Sequence, residues 1–296
     1  MRIMLALDGS PGSVVARDLV AALPWSAGAT MLLLSAFEAP ADWTPTRGST
    51  SYWMHGTSEA VRGAMHEQLR ELGKPLVRED REVEHEVAEG RAADAISATA
   101  REQGVDLIIM GSRGRGPIGS MLLGSVAAEV AAQAPCPVLV ARHPCVTRMV
   151  VATDGSEVAR AIPERLAAWQ VFRGIPASAV AVSTRNTPAF ELAVSRYALA
   201  DARLAAKRQE LHAQYARDAE ELAQHLTRLD ILAEAQVRAG DPAHEILQVA
   251  SDTQADLVVT GTRGLSAFDR LLLGSVARNV LLHTAASVLV MRGETA

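Results

Sequence analysis

Asp106-Leu107-Ile108-Ile109-Met110-Gly111-Ser112-Arg113-Gly114, followed after nine intervening residues by Gly124-Ser125, is the stretch that decides the fold. An unbroken apolar run has no polar alternation, so it reads as a strand buried on both faces. Its Gly-x-x-Gly ending lets the chain turn sharply and brings bare backbone close to whatever lies beyond the strand. Gly124-Ser125 then opens a helical stretch, Val126 to Gln133. Strand, glycine turn and helix start therefore follow one another at fixed spacing. The same run returns as Asp256-Leu257-Val258-Val259-Thr260-Gly261-Thr262-Arg263-Gly264, with Gly274-Ser275 in the matching place.

The repetition extends along the whole chain. Arg2-Ile3-Met4-Leu5-Ala6-Leu7-Asp8-Gly9-Ser10 recurs as Arg148-Met149-Val150-Val151-Ala152-Thr153-Asp154-Gly155-Ser156. Leu122 to Ala127 recurs unchanged as Leu272 to Ala277, and Pro137 to Val140 matches Ser287 to Val290. The order is kept while the offset grows from 146 (Arg2 to Arg148) to 150 (Asp106 to Asp256). A period this long exceeds that of solenoid repeats, so it marks a duplicated domain. The seam falls between Arg142 and Thr147, giving domains 1–144 and 145–296. Within the first half, strands are expected at Ile3–Leu7, Thr30–Phe37, Glu82–Val87, Val105–Met110 and Val138–Ala141. Helices are expected at Ser10–Leu23, Ser58–Gly73, Ala92–Glu102 and Val126–Gln133. Buried strands alternating with helices imply an α/β fold: two tandem doubly wound, Rossmann-like domains on parallel sheets.

The chemistry concentrates at strand ends. The first amides of the helix opened by Gly124-Ser125 have no internal partners, and the helix dipole is positive there. Together with the glycine turn they form an anion site at the carboxyl edge of a parallel sheet, where such sheets bind ligands. The bland alternative is a glycine loop that serves packing alone. Asp8 and Asp154 end the first strand of each half; either carboxylate suits ribose hydroxyls or a divalent cation, or simply a turn. Arg113 and Arg263 lie inside the glycine loops and suit a phosphate, or equally solvent or a pairing Glu. Arg115 and Arg270 stand nearby.

Asp-Gly-Ser after strand one, Gly-x2-Gly-x9-Gly-Ser after strand four and the closing Pro-Val-Leu-Val strand resemble the universal stress protein family in its tandem, ATP-binding form. The resemblance implies five parallel strands per domain and an adenine pocket between the first loop and the end of strand two. It implies ATP as ligand, with Mg²⁺ as candidate counter-ion, held by amides of the glycine loop and the Gly-Ser helix start. Carried over by position, site one is Asp8, Ala36, Met110, Gly111, Arg113, Gly114, Gly124, Ser125 and Val126. Site two is Asp154, Thr184, Thr260, Gly261, Arg263, Gly264, Gly274, Ser275 and Val276. Ala36 and Thr184 rest on aligning the second strand, and Thr184 departs from the apolar residue usual there. The resemblance also implies pairing of the two domains through the last strands, Val138 to Val140 and Val288 to Val290.

Composition bounds the remaining choices. With 49% hydrophobic and 21% charged residues the chain buries a core. A net charge of -5 gives no electrostatic reason to bind nucleic acid. No apolar stretch spans a membrane and no signal peptide precedes Ile3, so a cytoplasmic setting is expected. Cys136 and Cys145 carry no metal or disulfide spacing, and His66, His85, His212, His225, His244 and His283 do not cluster. The segment Glu38 to Gly56, with Trp43, Tyr52, Trp53 and His55, reads as a long connection or a lid over the nucleotide. Arg185 to Gln224 reads as a long charged helix with a solvated face. Trp25 and Trp169 are expected to pack locally. No Gly-x4-Gly-Lys-Ser/Thr run, Gly-x-Ser-x-Gly elbow or zinc pattern occurs. The function expected is therefore an ATP-binding regulator in the stress response, read by an unidentified protein partner, with a homodimer as the further assembly. A slow ATPase or phosphotransferase and a nucleotide-free interaction scaffold are the alternatives. A dinucleotide fold is disfavoured because Asp8-Gly9-Ser10-Pro11-Gly12 has the wrong glycine spacing.

Overall fold

The chain divides into two compact units, one built mainly on Met1–Cys145 and the other mainly on the residues from Val146 onward. The computed structural model describes residues 1–38, 51–114, 123–184, 202–262 and 273–293, with backbone alone for 51–58, 184 and 202–208. Arg115, Trp43, Arg263, Gly264 and Arg270 lie outside the described residues, and so does most of the expected lid segment.

The first unit runs β1 (Arg2–Ala6), α1 (Pro11–Ala22), β2 (Thr30–Phe37), α2 (Ser51–Gly73), β3 (Glu82–Glu89), α3 (Ala92–Glu102), β4 (Leu107–Gly111), α4 (Ser125–Gln133) and β5 (Val138–Ala141). Its strand order is β3-β2-β1-β4-β5, and every registered pair is parallel. The second unit repeats the plan with β6 (Met149–Thr153), α5 (Glu157–Arg160), α6 (Ile162–Trp169), β7 (Ala177–Thr184), α7 (Ala202–Arg228), β8 (Ala233–Gly240), α8 (Pro242–Asp252), β9 (Leu257–Gly261), α9 (Ser275–His283) and β10 (Ser287–Met291). Its order is β10-β9-β6-β7-β8, again parallel throughout. Among the described residues no helix is long and apolar enough to cross a membrane.

Local chemistry explains the element starts. Ser10 stands in extended conformation before α1 and its side chain accepts a hydrogen bond from the Ser13 amide, while Pro11 takes the first helical position, where its missing N–H costs nothing. In the second unit Ser156 caps α5 in the same way. There the single helix is broken in two, because Pro163 supplies no N–H and its ring crowds the preceding turn. Trp25 and Trp169 are buried after these helices. The Trp25 indole donates to the Val20 carbonyl at 2.8 Å, and Trp169 meets Phe172 with ring centroids 6.5 Å apart. Cys136 is buried and Cys145 is exposed.

The order of the strands places the site. Connections from β1 run outward through β2 to β3, and the chain then returns to the other side of β1 for β4 and β5. The winding direction reverses between β1 and β4, and in an open parallel sheet the crevice opens there, beyond the carboxyl ends. Asp8 follows β1 and the glycine turn follows β4, so both stand on that crevice. β6 and β9 set Asp154 and Gly261 in the same relation.

The register also settles which residues correspond. Ile3 pairs with Met31, and its counterpart Met149 pairs with Ala177. Ala36 therefore corresponds to Val182, and Thr184 falls two residues further along β7 on the same face. An apolar residue does occupy the second-unit place equivalent to Ala36.

The centre of each sheet carries the core. Leu33 is fully buried in β2, in register with Leu5 on one side and His85 on the other. Leu33→Ala is expected to lower stability by about 2–5 kcal/mol, through lost transfer energy and a residual cavity. Urea denaturation of the variant beside the parent protein checks this.

Candidate functional site

In the first unit Gly9 takes the left-handed conformation (φ 75°), which folds the chain after β1 so that the Ser10 amide donates to Asp8 Oδ1 at 2.9 Å. The carboxylate is thereby fixed at the mouth of the crevice. Its Oδ2 lies 2.8 Å from the point where a Cβ on Gly114 would stand, so the carboxylate's approach to the glycine loop depends on the bare backbone there.

A second contact is tighter still. A Cβ on Gly111 would stand 2.4 Å from the carbonyl carbon of Gly12 and 2.7 Å from the amide nitrogen of Ser13. A Cβ on Gly12 would stand 2.4 Å from the carbonyl oxygen of Arg113. The end of β4 and the start of α1 thus lie backbone to backbone, with glycine on both sides. The Ser10 hydroxyl ties the two segments by donating to the Arg113 carbonyl at 3.2 Å. Further on, the Gly124 amide donates to the Ser112 carbonyl at 2.7 Å and the Ser112 amide to the Ala141 carbonyl at 3.1 Å. The two ends of the loop are thus tied to each other, and the Ser112 end to β5.

Gly124 is the N-cap of α4, in extended conformation and with no side chain to satisfy the first-turn amides. Those N–H groups, with Ser125 exposed and Val126 half-buried beside them, carry the partial positive charge of the helix end. Gly274 caps α9 in the same way, its amide donating to the Thr262 carbonyl at 2.7 Å. Met110 is buried at the end of β4, and Ala36 is half-buried at the end of β2.

The structure therefore brings Asp8, Gly111, Arg113, Gly114 and Gly124 together around one crevice, with Met110 and Ala36 on the strand ends that floor it. In the second unit Asp154 accepts from the Ser156 amide at 3.0 Å, and Gly155 repeats the left-handed turn (φ 73°). Thr260 is buried and donates its hydroxyl proton to the Gly261 carbonyl at 3.3 Å. Thr184 ends β7 with its side chain undescribed, and Arg263 and Gly264 lie outside the described residues.

Three residues of the first site carry weight that sequence reasoning missed. Ser10 bridges the two loops. Gly12 seats the glycine turn; the available signal was a glycine in the first helical turn, which costs about 1 kcal/mol against alanine and so asks for a packing reason. Arg142 follows β5 directly. Burial, and then the like charge of Arg113, push its pKa down to about 10, so it stays cationic at neutral pH beside a second guanidinium. Its signal was recurrence, since Arg292 follows β10. The Arg113 guanidinium thus stands close enough to Arg142 to oppose its charge.

A profile of the universal stress protein family matches residues 1–142 and, separately, 146–292. The universal stress protein in the QAH/OAS sulfhydrylase 3′ region of Thermus aquaticus is 35% identical over 142 residues, covering 47% of this chain and 97% of that protein. The universal stress protein MJ0531 of Methanocaldococcus jannaschii is 45% identical over 53 residues, 18% of this chain and 31% of that one. Among solved structures, a universal stress protein from Archaeoglobus fulgidus DSM 4304 aligns with a TM-score of 0.58 at 18% identity, covering 98% of both chains. A protein of unknown function from Pseudomonas aeruginosa PAO1 aligns with a TM-score of 0.57 at 17% identity, covering 99% of this chain and 92% of that one. At these identities the structural likeness speaks for the fold alone.

The glycine contacts make opposite demands on two substitutions. Gly111→Ala drives a Cβ into rigid backbone and is expected to cost about 1–3 kcal/mol. Gly124→Ala meets its nearest atom, the Ser112 carbonyl oxygen, at 3.4 Å and has an ordinary φ of -80°, so its cost is expected to stay below about 1 kcal/mol. Denaturation midpoints of the two variants, measured side by side, test the difference.

Proposed function

Because both halves of this chain belong to the universal stress protein family, we propose that it binds ATP through the glycine loop and acts as a nucleotide-dependent regulator in the stress response. The observation that supports this most is the seating of Gly111 on Gly12 and of Gly114 on Asp8. Together these contacts hold the backbone of Gly111 and Gly114 beside the start of α4, which no side chain caps. A triphosphate offers several acceptor oxygens to such amides, and the helix dipole and the Arg113–Arg142 pair favour its charge. The adenine ring would pack at the ends of β2 and β4, against Ala36 and Met110, with Asp8 accepting from ribose hydroxyls.

A magnesium ion is compatible with this arrangement on one condition. Among the described residues no group of three or more His, Cys, Asp or Glu is placed to hold a metal. An ion at Asp8 would therefore draw its remaining oxygens from the phosphates and water, as Mg²⁺ commonly does in nucleotide sites. Nucleotide that binds only the folded state also stabilises it by mass action, which gives a partner protein two states to distinguish.

Gly111→Glu places a bulky carboxylate where the phosphates and the Gly12 backbone converge. Calorimetric titration with ATP and magnesium is expected to show the first-unit site lost, a weakening of at least about tenfold. An unchanged isotherm in a variant that still folds would remove the phosphate-loop reading.

A further inference from the structure

The turn that leads into β3 holds a pair of like charges. Arg78 and Arg81 face each other in an isolated antiparallel bridge, closed by the Arg81 amide donating to the Arg78 carbonyl at 3.2 Å. Like charges directly opposite one another destabilise such a pairing. Arg78 is exposed, whereas Arg81 is buried, with 8% of its surface open. The Arg81 Nη1 is enclosed without a hydrogen-bond partner, and among the described residues no carboxylate forms an ion pair with either guanidinium. Burial, and then the like charge of Arg78, lower the Arg81 pKa from its ordinary value, and Asp80 only partly opposes them.

The second unit shows that the fold does not ask for this charge. Met31 and Ala177 correspond, and they pair with Val83 and Ala233, so Arg81 corresponds to Ile231. The preceding turn agrees. Gly28 (φ 81°) donates its amide to the Asp80 carbonyl at 3.3 Å, and Gly174 (φ 74°) donates to the Asp230 carbonyl at 2.7 Å. Arg78 and Asp80 thus recur as Arg228 and Asp230, while the buried place is taken by an isoleucine that is 1% exposed. An apolar side chain fills that place at no electrostatic cost. A guanidinium there gives up hydration, and no protein acceptor compensates its Nη1.

We propose that Arg81 and Arg78 form an anion site at the amino edge of the first unit, and that it takes one phosphate-type oxyanion. A guanidinium presents parallel N–H groups that two oxygens of such a group match. The second guanidinium across the bridge calls for further oxygens, which a tetrahedral dianion has and a carboxylate lacks. Glu79, Asp80 and Glu82 stand exposed beside the pair in the chain and repel an extended polyanion, so the fit is to a single compact group. The site precedes β3, at the opposite end of the strands from the nucleotide crevice. Phosphate there stabilises the first unit without occupying the crevice, and the site does not depend on ATP binding.

Inorganic phosphate titrated into the ¹⁵N-labelled full chain at constant ionic strength tests this, with the side-chain Nε–Hε resonances of Arg78 and Arg81 as readout. Both are expected to shift along one saturating curve with a dissociation constant of about 1 mM. The shifts are expected to persist in Gly111→Glu, which separates this site from the glycine loop. In Arg78→Gln the Arg81 curve is expected to weaken about threefold. In phosphate-free buffer Arg81→Ile is expected to unfold in urea at or above the parent midpoint, and added phosphate is expected to raise the parent midpoint more than the variant's. No movement of the Arg81 resonance up to about 50 mM phosphate, or the same movement with chloride, would overturn the site. A lower phosphate-free midpoint in Arg81→Ile would overturn it too, because the guanidinium would then be satisfied inside the protein.

Discussion

The approach of the β4 exit to the α1 entrance, backbone against backbone at Gly111 and Gly12, is the contact on which the first site depends. No side chain intervenes, so the turn after β4 lies on the first turn of α1, and the Ser10 hydroxyl locks the Arg113 carbonyl in place. Every other feature of the crevice follows from it. Asp8 can reach Gly114 only because the loop is held at that depth, and α4 begins where its free amides face the same space. The contact costs conformational entropy at each glycine. It sets the backbone of Gly111 and Gly114 close to the first loop and beside the start of α4.

Position in the sheet explains why this contact sits where it does. Winding reverses between β1 and β4, so the helices that follow these two strands lie on opposite faces, and in such sheets a gap opens beyond the strand ends between them. A polar ligand in that gap meets N–H groups from two loops without crossing the core, which lies further back among Leu5, Leu33 and Ile109. Stability and recognition are therefore divided along each strand. The apolar centre holds the sheet together and the carboxyl edge holds the chemistry. Duplication copied both parts: the Asp-Gly-Ser and glycine framework of the edge recurs as the apolar centre does. Beside that framework Val158 stands where the first unit has Gly12 and Glu157 where it has Pro11, and Pro163 breaks the helix that α1 keeps whole.

Much of this was legible in the sequence. The repeat fixed two domains, and the continuous apolar runs from Leu107 and Leu257 fixed buried parallel strands. The glycine spacing pointed to the crevice, because local turn chemistry is written in local residues. What was not legible involved segments distant in the chain. Nothing near Gly12 says that the carbonyl of Arg113 will lie against it, and nothing near Arg142 says that it will share its surroundings with Arg113. The pairing of Ala36 with Val182 was hidden for a different reason. Strands buried on both faces have no period-two pattern, so a slip of two residues from Val182 to Thr184 leaves the apolar profile unchanged. The helix α2 was expected from Ser58 but begins at Ser51, where Tyr52, Trp53 and His55 mask the helical period with residues typical of connections.

The central claim is that peptide amides of the glycine loop and of the α4 start receive the phosphates. Amide chemical shifts in the ¹⁵N-labelled full chain, followed as ATP and magnesium are added, report on those groups one by one. The account predicts that Gly111, Gly114, Ser125 and Val126 shift together along a single saturating curve. If those four amides hold still at saturating nucleotide, whether or not resonances elsewhere respond, the account is contradicted.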